Sequence, residues 1–359
     1  MDTLAQTPET RPVEPTTFAP EIALFTKHLD AISDVLIGMV MALQEVTKRS
    51  RDELFKFEDE RCSIEDDGKS RKVTIPSAEH REWRKLSRMY EHFELSRVLF
   101  PRSLLVSLVS QYDAYLGRLL RVIFLRKPDI LNGSEKKLSF EALNSFGSIS
   151  EAREYILEKE VEGILRSSHV DQFRWMERTF DLPLTKGLKS WPSFIELTER
   201  RNLFVHTDGV ISSQYISVCK LHKYPLEADI VEGKRLDVPQ KYFQEGYATI
   251  YEIGVKLGHV LWRKLFPEER DKADSQLTDL AFELIDRGKY SLAIRLLDFA
   301  CEELKRFSNE SHQLTFIVNR AQAYKWNGDD ERCRRIMKNV DWSAKGDQFR
   351  LADAVLAED

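Results

Sequence analysis

The sequence predicts a mainly α-helical fold with a minor β-hairpin. Apolar residues recur at helical spacing along most of the 359 residues, and paired alternating runs surround a turn signal at 61–76. The chain is 42% hydrophobic and 31% charged, which provides enough apolar material for two or three cores. We therefore expect several helical regions rather than a domain built on a sheet.

The charge balance and the cysteines exclude several protein classes. A net charge of -5 excludes a globally basic nucleic-acid coat, so any contact with nucleic acid must depend on a local patch. The cysteines lie far apart without C-x-x-C spacing, which predicts neither a zinc site nor a disulfide framework. Since the sequence also lacks a signal peptide and a long apolar run, we expect a cytoplasmic protein. The cysteines are Cys62, Cys219, Cys301 and Cys333.

The N-terminal region is expected to contain a disordered leader and a helical extension. Residues 1–20 are rich in Pro, Thr and Glu and have almost no periodic hydrophobicity. The extension, 21–100, begins with a long amphipathic helix to about residue 50 and contains the hairpin at 61–76. A second helix should then run until Pro101 interrupts it. The acidic residues around the hairpin turn are expected to be solvated rather than to bind a metal ion: Glu65, Asp66 and Asp67.

The stretch 102–125 predicts a helix with a core face and a polar face. Small residues on the polar face would let another helix, which a second subunit could supply, approach closely. Asp113 lies on this face and is a candidate site residue. The small residues are Ser110, Ala114 and Gly117.

A local excess of Lys and Arg over Asp and Glu occurs between residues 79 and 127. Such an excess is more typical of an ordinary charged helix face than of a patch that contacts phosphates. If this segment does contact RNA, the candidate side chains are Arg118 and Arg121.

The middle of the chain is expected to alternate between helices and short extended segments. Helices are predicted between 138 and 180, with Ser150 as a candidate N-terminal cap. The β-branched stretch 210–221 predicts extended structure, and a second short extended segment is expected at 234–238. A long amphipathic helix should follow at 239–266.

The C-terminal segment 272–359 follows a charged hinge at 268–275. Two helices are predicted at 280–304, joined at Gly288, and a weaker copy of this pattern surrounds Gly328. The pattern resembles a tetratricopeptide repeat, although the spacing exceeds the usual ~34 residues. Because two degenerate units are too few for a self-standing solenoid, this tail should dock on the body of the protein or on a partner.

The stretch 194–209, FIELTERRNLFVHTDG, predicts the last turns of an amphipathic helix that Gly209 ends. Arg201, Asn202 and His206 place a guanidinium, an amide and an imidazole close together at this helix end. Histidine is the side chain best suited to proton transfer near neutral pH. The same residues could instead form an ion pair, a helix cap and a satisfied C-terminal histidine.

Motifs of other enzyme classes are absent from the sequence. It contains no P-loop, no dinucleotide-binding glycine pattern, no H-E-x-x-H zinc site and no G-x-S-x-G nucleophile elbow. We therefore predict neither a cofactor nor a metal.

The motif Arg201-Asn-Leu-Phe-Val-His206, together with the earlier helix SQYDAYLGRLL, resembles the HEPN superfamily (higher eukaryote and prokaryote nucleotide-binding). The hallmark of that family is an Arg, often followed by a polar residue, and then a His after four to six positions. The resemblance covers a helical domain at 101–267. The long insertion between Pro128 and Trp191 departs from the family pattern.

The resemblance implies a metal-independent endoribonuclease whose site forms where two copies of the motif meet in a homodimer. His206 would then act as general base or acid, Arg201 would hold the scissile phosphate, and Asn202 would orient either group. Asp113 would pair with Arg201 or orient His206. Such proteins are often toxins or phage-defence effectors, and an inhibitor or sensor protein could bind the C-terminal repeats.

The alternative function is that of a non-catalytic helical adaptor or scaffold. Some members of the family are catalytically inert and bind nucleotides or proteins. In that case the C-terminal helices would carry the function by binding a partner.

Overall fold

The computed structural model describes residues 17–66, 71–133 and 138–357, and these residues form a mainly helical fold with a small hairpin. The predicted fold class is therefore confirmed. Short 3₁₀ turns occupy Pro128–Gly133 and Pro267–Glu269, and a π turn occupies Phe299–Glu303. The helices and strands are α1 (Phe18–Arg61), β1 (Ser63–Asp66), β2 (Arg71–Thr74), α2 (His80–Arg126), α3 (Phe140–Asn144), α4 (Ile149–Leu165), α5 (His169–Phe180), α6 (Trp191–His206), α7 (Ser213–Leu221), α8 (Gln240–Leu265), α9 (Arg270–Asp286), α10 (Tyr290–Asp298), α11 (Glu310–Trp326), α12 (Asp330–Lys338) and α13 (Asp347–Ala357).

The chain divides into two compact units, each built from separate segments. The first unit takes in the described residues of Met1–Phe25, Asp113–Lys186 and Gly254–Asp359, and the second takes in those of Thr26–Tyr112 and Gly187–Ile253. Helices α1, α2 and α8 contribute residues to both units. The predicted contiguous domains, with boundaries at residues 100, 267 and 272, stay predictions.

The first unit is built where α1, α2 and α8 approach one another closely. Gly254 and Gly258 lie one turn apart on α8, and a Cβ at these positions would lie 2.2 Å from the Phe25 ring and 2.3 Å from the Tyr115 hydroxyl. The rings of Phe25 and Tyr115 stack at 4.2 Å, and the Tyr115 hydroxyl donates to the Gly254 carbonyl at 3.1 Å. Larger residues at either glycine would therefore separate the helices.

The second unit packs α6 against α2 and α8. Tyr112 meets Phe194 edge to face at 5.0 Å, and a Cβ at Gly246 would lie 3.1 Å from Leu197. The predicted amphipathic character of α6 is confirmed, since Phe194 and Leu197 on its core face are almost completely buried. This packing fixes the axis of the helix that carries the candidate motif.

The predicted hairpin is confirmed in the second unit. Strands β1 and β2 pair antiparallel with Ser63 opposite Thr74 and Ile64 opposite Val73. The expected turn at Asp67-Gly68 lies outside the described residues. Arg71, the first residue of β2, pairs with carboxylates of α1, which attaches the hairpin to that helix.

Two helix boundaries near prolines differ from expectation. Most of the predicted leader lies outside the described residues, but α1 begins at Phe18 because that ring is buried and stacks on Trp262 at 5.7 Å. Pro20 is tolerated in the first helical turn. Pro101 does not interrupt α2, since Leu105 and Leu108 are fully buried one and two turns further on and their packing outweighs the hydrogen bond that the proline lacks.

Two predictions about caps and strands were wrong. The cap of α4 is Ser148, whose hydroxyl accepts from the Glu151 amide, rather than Ser150. The stretch 210–221 is mostly the helix α7 rather than extended structure, because Ser212 caps it and Tyr215 is buried along one face. Weak β-propensity is readily overridden by such a cap and by packing. Within the second segment expected to be extended, Arg235 forms an isolated antiparallel bridge with Val210.

The C-terminal helices belong to the first unit. The predicted hinge at 268–275 is instead the start of α9, where Ala273 is buried in the unit core. The predicted helix pairs are present: α9 and α10 are joined at Gly288, and α11 and α12 are joined at Gly328. Within this tail, Asp298 accepts from Arg320 at 2.7 Å. The resemblance to tetratricopeptide repeats stays a prediction.

None of the described helices is long and apolar enough to cross a membrane.

Candidate functional site

The motif residues lie on the last two turns of α6. Arg201 and Asn202 are half-buried, and His206, the last residue of the helix, is exposed. Thr198, one turn before Asn202, is buried and donates to the Ile195 carbonyl at 2.9 Å. The polar residues of α6 therefore reach the surface only at its C-terminal end.

A tight turn ends α6 directly after His206. The amides of Thr207 and Gly209 both donate to the Leu203 carbonyl, at 2.9 and 3.0 Å. Gly209 has φ +79°, and a Cβ there would lie 2.9 Å from the Phe204 ring. Glycine is therefore required here for both its conformation and its size.

Arg102 of α2 holds the loop that follows His206. Its Nη1 donates to the carbonyl and to the Oδ1 of Asp208 at 3.4 and 3.3 Å, and its Nη2 donates to the Leu236 carbonyl and to Asp237 Oδ1, both at 2.8 Å. The guanidinium also lies 5.3 Å from the centre of the Phe204 ring. Because only 9% of this side chain is exposed, Arg102 holds the loop from its buried side.

A second polar cluster lies on the same helix, in the core of the unit. The Glu196 carboxylate accepts from the hydroxyls of Tyr215 and Tyr242, both at 2.6 Å, and from Arg200 Nε at 2.7 Å. Arg200 also donates to the Asp237 carbonyl at 3.1 Å, and its guanidinium lies 3.8 Å from the Tyr242 ring centre. Asp237 thus joins the buried cluster to Arg102 and to the loop after His206.

Burial and charge shift the pKa values in this cluster. Burial raises the pKa of the Tyr215 and Tyr242 hydroxyls well above the ordinary range, and the Glu196 charge raises them further. Burial opposes the charge of Arg200, but its acidic partners Tyr242 and Glu196 outweigh this effect and raise the pKa of Arg200. The tyrosines therefore stay neutral and Arg200 stays charged at any physiological pH.

Asp113 belongs to the first unit, where His169 Nε2 lies 2.9 Å from its Oδ1. This histidine is nine-tenths buried and begins α5. The local partner of Asp113 was not foreseen, because α5 lies far along the chain. A role for Asp113 beside Arg201 or His206 stays a prediction.

The two candidate RNA-binding arginines form ion pairs in the first unit. Arg118 Nε lies 2.5 Å from Glu21, and Arg121 makes a bidentate pair with Glu158 at 2.6 Å. The hydrogen bonds between Arg121 and Glu158 raise the pKa of the arginine and lower that of the glutamate. An RNA phosphate would have to compete with these carboxylates.

The small-residue face of α2 is partly covered by the chain itself. A Cβ at Gly117 would lie 3.0 Å from Leu165 of α4, so the helix that approaches this glycine belongs to the same chain. Ser110 and Ala114 remain exposed.

Arg102 and the pair Glu196–Arg200 are the residues of this site that the sequence interpretation missed. The pair had a signal, because Glu and Arg four positions apart face each other on a helix. Arg102 had no comparable signal, since its partners lie more than 100 positions along the chain. In the part of the chain that the structure describes, no cluster of His, Cys, Asp and Glu side chains is arranged to hold a metal ion.

Comparison of the chain with models of protein families, with curated proteins and with solved structures gave no match.

Proposed function

We propose that the protein is a metal-independent endoribonuclease of the HEPN type, which cleaves RNA by attack of the ribose 2′-OH on the adjacent phosphate. The observation that carries the proposal is the exposed imidazole of His206 at the end of α6, one turn beyond Asn202 and five residues after Arg201. An imidazole in contact with solvent on a rigid helix can accept a proton from the 2′-OH or donate one to the leaving oxygen. We place the protein among toxins or phage-defence effectors.

The half-buried residues of the motif suit the other two roles. The guanidinium of Arg201 would bind the scissile phosphate and stabilise the charge that develops on it. Asn202 would orient the imidazole or the phosphate through its amide. The anchoring of the following loop by Arg102 supports this assignment, because catalytic side chains must be held in a fixed geometry.

A homodimer would supply the second histidine, which would allow one imidazole to act as base and the other as acid. Leu95, Val98 and Leu99 lie on one face of α2, and 41% to 55% of each side chain is exposed. This apolar surface ends one turn before Arg102, which contacts the loop beside His206. A second copy that covers it would lie close to the proposed site.

Purified protein should cleave single-stranded or structured RNA in EDTA and leave 2′,3′-cyclic phosphate ends. A substrate with a 2′-deoxyribose at the cleaved position should remain intact, because it lacks the attacking oxygen. Cleavage that depends on a divalent metal, or products with 3′-hydroxyl ends, would contradict the mechanism.

The dimer can be tested separately by light scattering. The double variant Leu95→Asp, Leu99→Asp should be monomeric and should lose cleavage, whereas Leu221→Asp, which changes an exposed apolar residue on α7, should remain dimeric. Wild-type protein that cleaves RNA as a monomer would contradict the composite site.

An adaptor is the second candidate function, favoured by exposed apolar residues in the C-terminal helices. Phe282 and Trp326 are 59% and 50% exposed, and surfaces of this kind bind protein partners. An inhibitor or sensor protein could bind here in either case. The adaptor function predicts that Trp326→Ala abolishes a cellular phenotype that His206→Ala leaves intact.

A further inference from the structure

A cavity of about 310 Å³ in the first unit is lined mainly by positive charge. It lies beside the end of α8, the start of α9 and the segment after the π turn. Its apolar wall consists of Val260, Phe299 and Leu304, and its single carboxylate is Glu303. The cationic side chains that line it are Arg263, Lys264, Arg270, Lys305 and Arg306.

Arg263 is the innermost of these cations, with only 9% of its side chain exposed. Its Nη1 forms an ion pair with the fully buried Asp274 Oδ1 at 2.6 Å, which offsets part of the cost of burying the guanidinium. Among the described residues, the buried Nε and Nη2 of Arg263 have no hydrogen-bond acceptor. Buried donors without acceptors are costly, so this guanidinium is suited to an anion that enters the cavity.

The remaining charges around the cavity also favour an anion. Lys305 and Arg306 are exposed on the segment that follows the π turn. Arg270 is the first residue of the 17-residue helix α9, whose amino end carries a partial positive charge. The lining carboxylate, Glu303, lies 3.4 Å from Lys256, which offsets its charge.

We propose that this cavity is a binding site for a small polyphosphate anion. A single phosphoryl group carries at most about two negative charges at neutral pH, fewer than the cations around the cavity, whereas a diphosphate or triphosphate chain can engage several of them. The volume is within the range of small-molecule sites. Arg263 would bind one phosphoryl group at the base, and Lys305 and Arg306 would bind the outer part of the chain. This site is independent of the residues proposed for RNA cleavage.

Isothermal titration of the full-length protein with inorganic tripolyphosphate, in metal-free buffer at low ionic strength, tests the site. Wild type should bind about one molecule per chain. The double variant Lys305→Gln, Arg306→Gln should bind at least about tenfold more weakly, since each charged hydrogen bond contributes substantially to affinity. The matched control Arg335→Gln, Lys338→Gln removes two exposed cations elsewhere in the same unit and should bind as tightly as wild type.

Arg263→Lys keeps the charge but removes the planar fork of donors, so it should also weaken binding at least about tenfold. If this variant does not fold, the surface double variant alone decides the outcome. Absence of saturable binding, or equal weakening in the control pair, would overturn the proposal. The proposal would also be overturned if a short single-stranded RNA bound through Lys305 and Arg306 while tripolyphosphate did not bind. The surface would then belong to a nucleic-acid interface.

Discussion

Helix α6 carries two polar clusters that are built in opposite ways. Around Glu196, the carboxylate, the Arg200 guanidinium and the hydroxyls of Tyr215 and Tyr242 are enclosed in the core, and each makes a short hydrogen bond to another member. Around His206, nearly three turns further on, the helix reaches solvent and the imidazole is exposed.

The contrast separates residues that stabilise the fold from residues that are available for chemistry. A buried, fully satisfied cluster cannot bind a substrate without losing its internal partners, whereas an exposed imidazole on a fixed helix can. The two clusters should therefore respond differently to substitution, with large effects on stability at Glu196 and large effects on activity at His206.

The largest expected effect on stability is that of Glu196→Gln. The substitution leaves the buried Arg200 without a compensating charge and should lower the free energy of unfolding by about 3–5 kcal/mol. Urea denaturation followed by circular dichroism measures the change. Glu94→Gln, which removes a surface partner of Arg97, should have almost no effect, and equal effects of the two variants would contradict the contrast.

The next largest effect should be that of Arg102→Gln, because the Arg102 side chain connects the two clusters. Loss of its hydrogen bonds to Leu236 and Asp237 should lower the free energy of unfolding by about 1–2 kcal/mol, a reduced value because the partner carboxylates are more than half exposed. RNA cleavage should fall as well, because the loop beside His206 is released. Arg102→Lys should lose nearly as much stability and cleavage as Arg102→Gln, since lysine lacks the fork of donors. A variant with wild-type stability and activity would show that Arg102 does not fix this loop.

The buried cluster should also give the unit a dependence on high pH. Burial and the Glu196 charge raise the pKa of the Cys219 thiol to about 12 from an ordinary 9.0. The unfolded chain therefore releases this proton first, so the thiol contributes its full stability below pH 9. That contribution is lost as the pH rises toward 12, by about 1.4 kcal/mol per pH unit. Urea titrations from pH 8 to pH 10 should show a shallower decline for Cys219→Ala than for wild type, and identical slopes would contradict the shift.

The helices of the fold could be predicted from sequence because apolar periodicity is a local signal. Helix α6, its core face and its end near Gly209 could be predicted for the same reason. Two predictions were wrong because packing outweighed local propensity. Helix α7 forms despite its β-branched residues, and α2 continues through Pro101. The contacts of Arg102 could not be predicted at all, because they join positions that only the tertiary fold brings together.

The smallest expected effect on stability, and the largest on activity, belongs to His206. Because its side chain is exposed at a helix end, His206→Ala should change the free energy of unfolding by less than about 0.5 kcal/mol. His92→Ala, which removes an exposed histidine from α2 in the same unit, is the matched control.

The most direct test of a catalytic role for His206 is the rate of RNA cleavage by these two variants in EDTA, measured on protein shown to be folded. His206→Ala should lose cleavage by at least about a hundredfold, as expected when a general acid or base is removed, while His92→Ala should retain the wild-type rate. Cleavage by His206→Ala at the wild-type rate would contradict the assignment of the α6 terminus as the catalytic site.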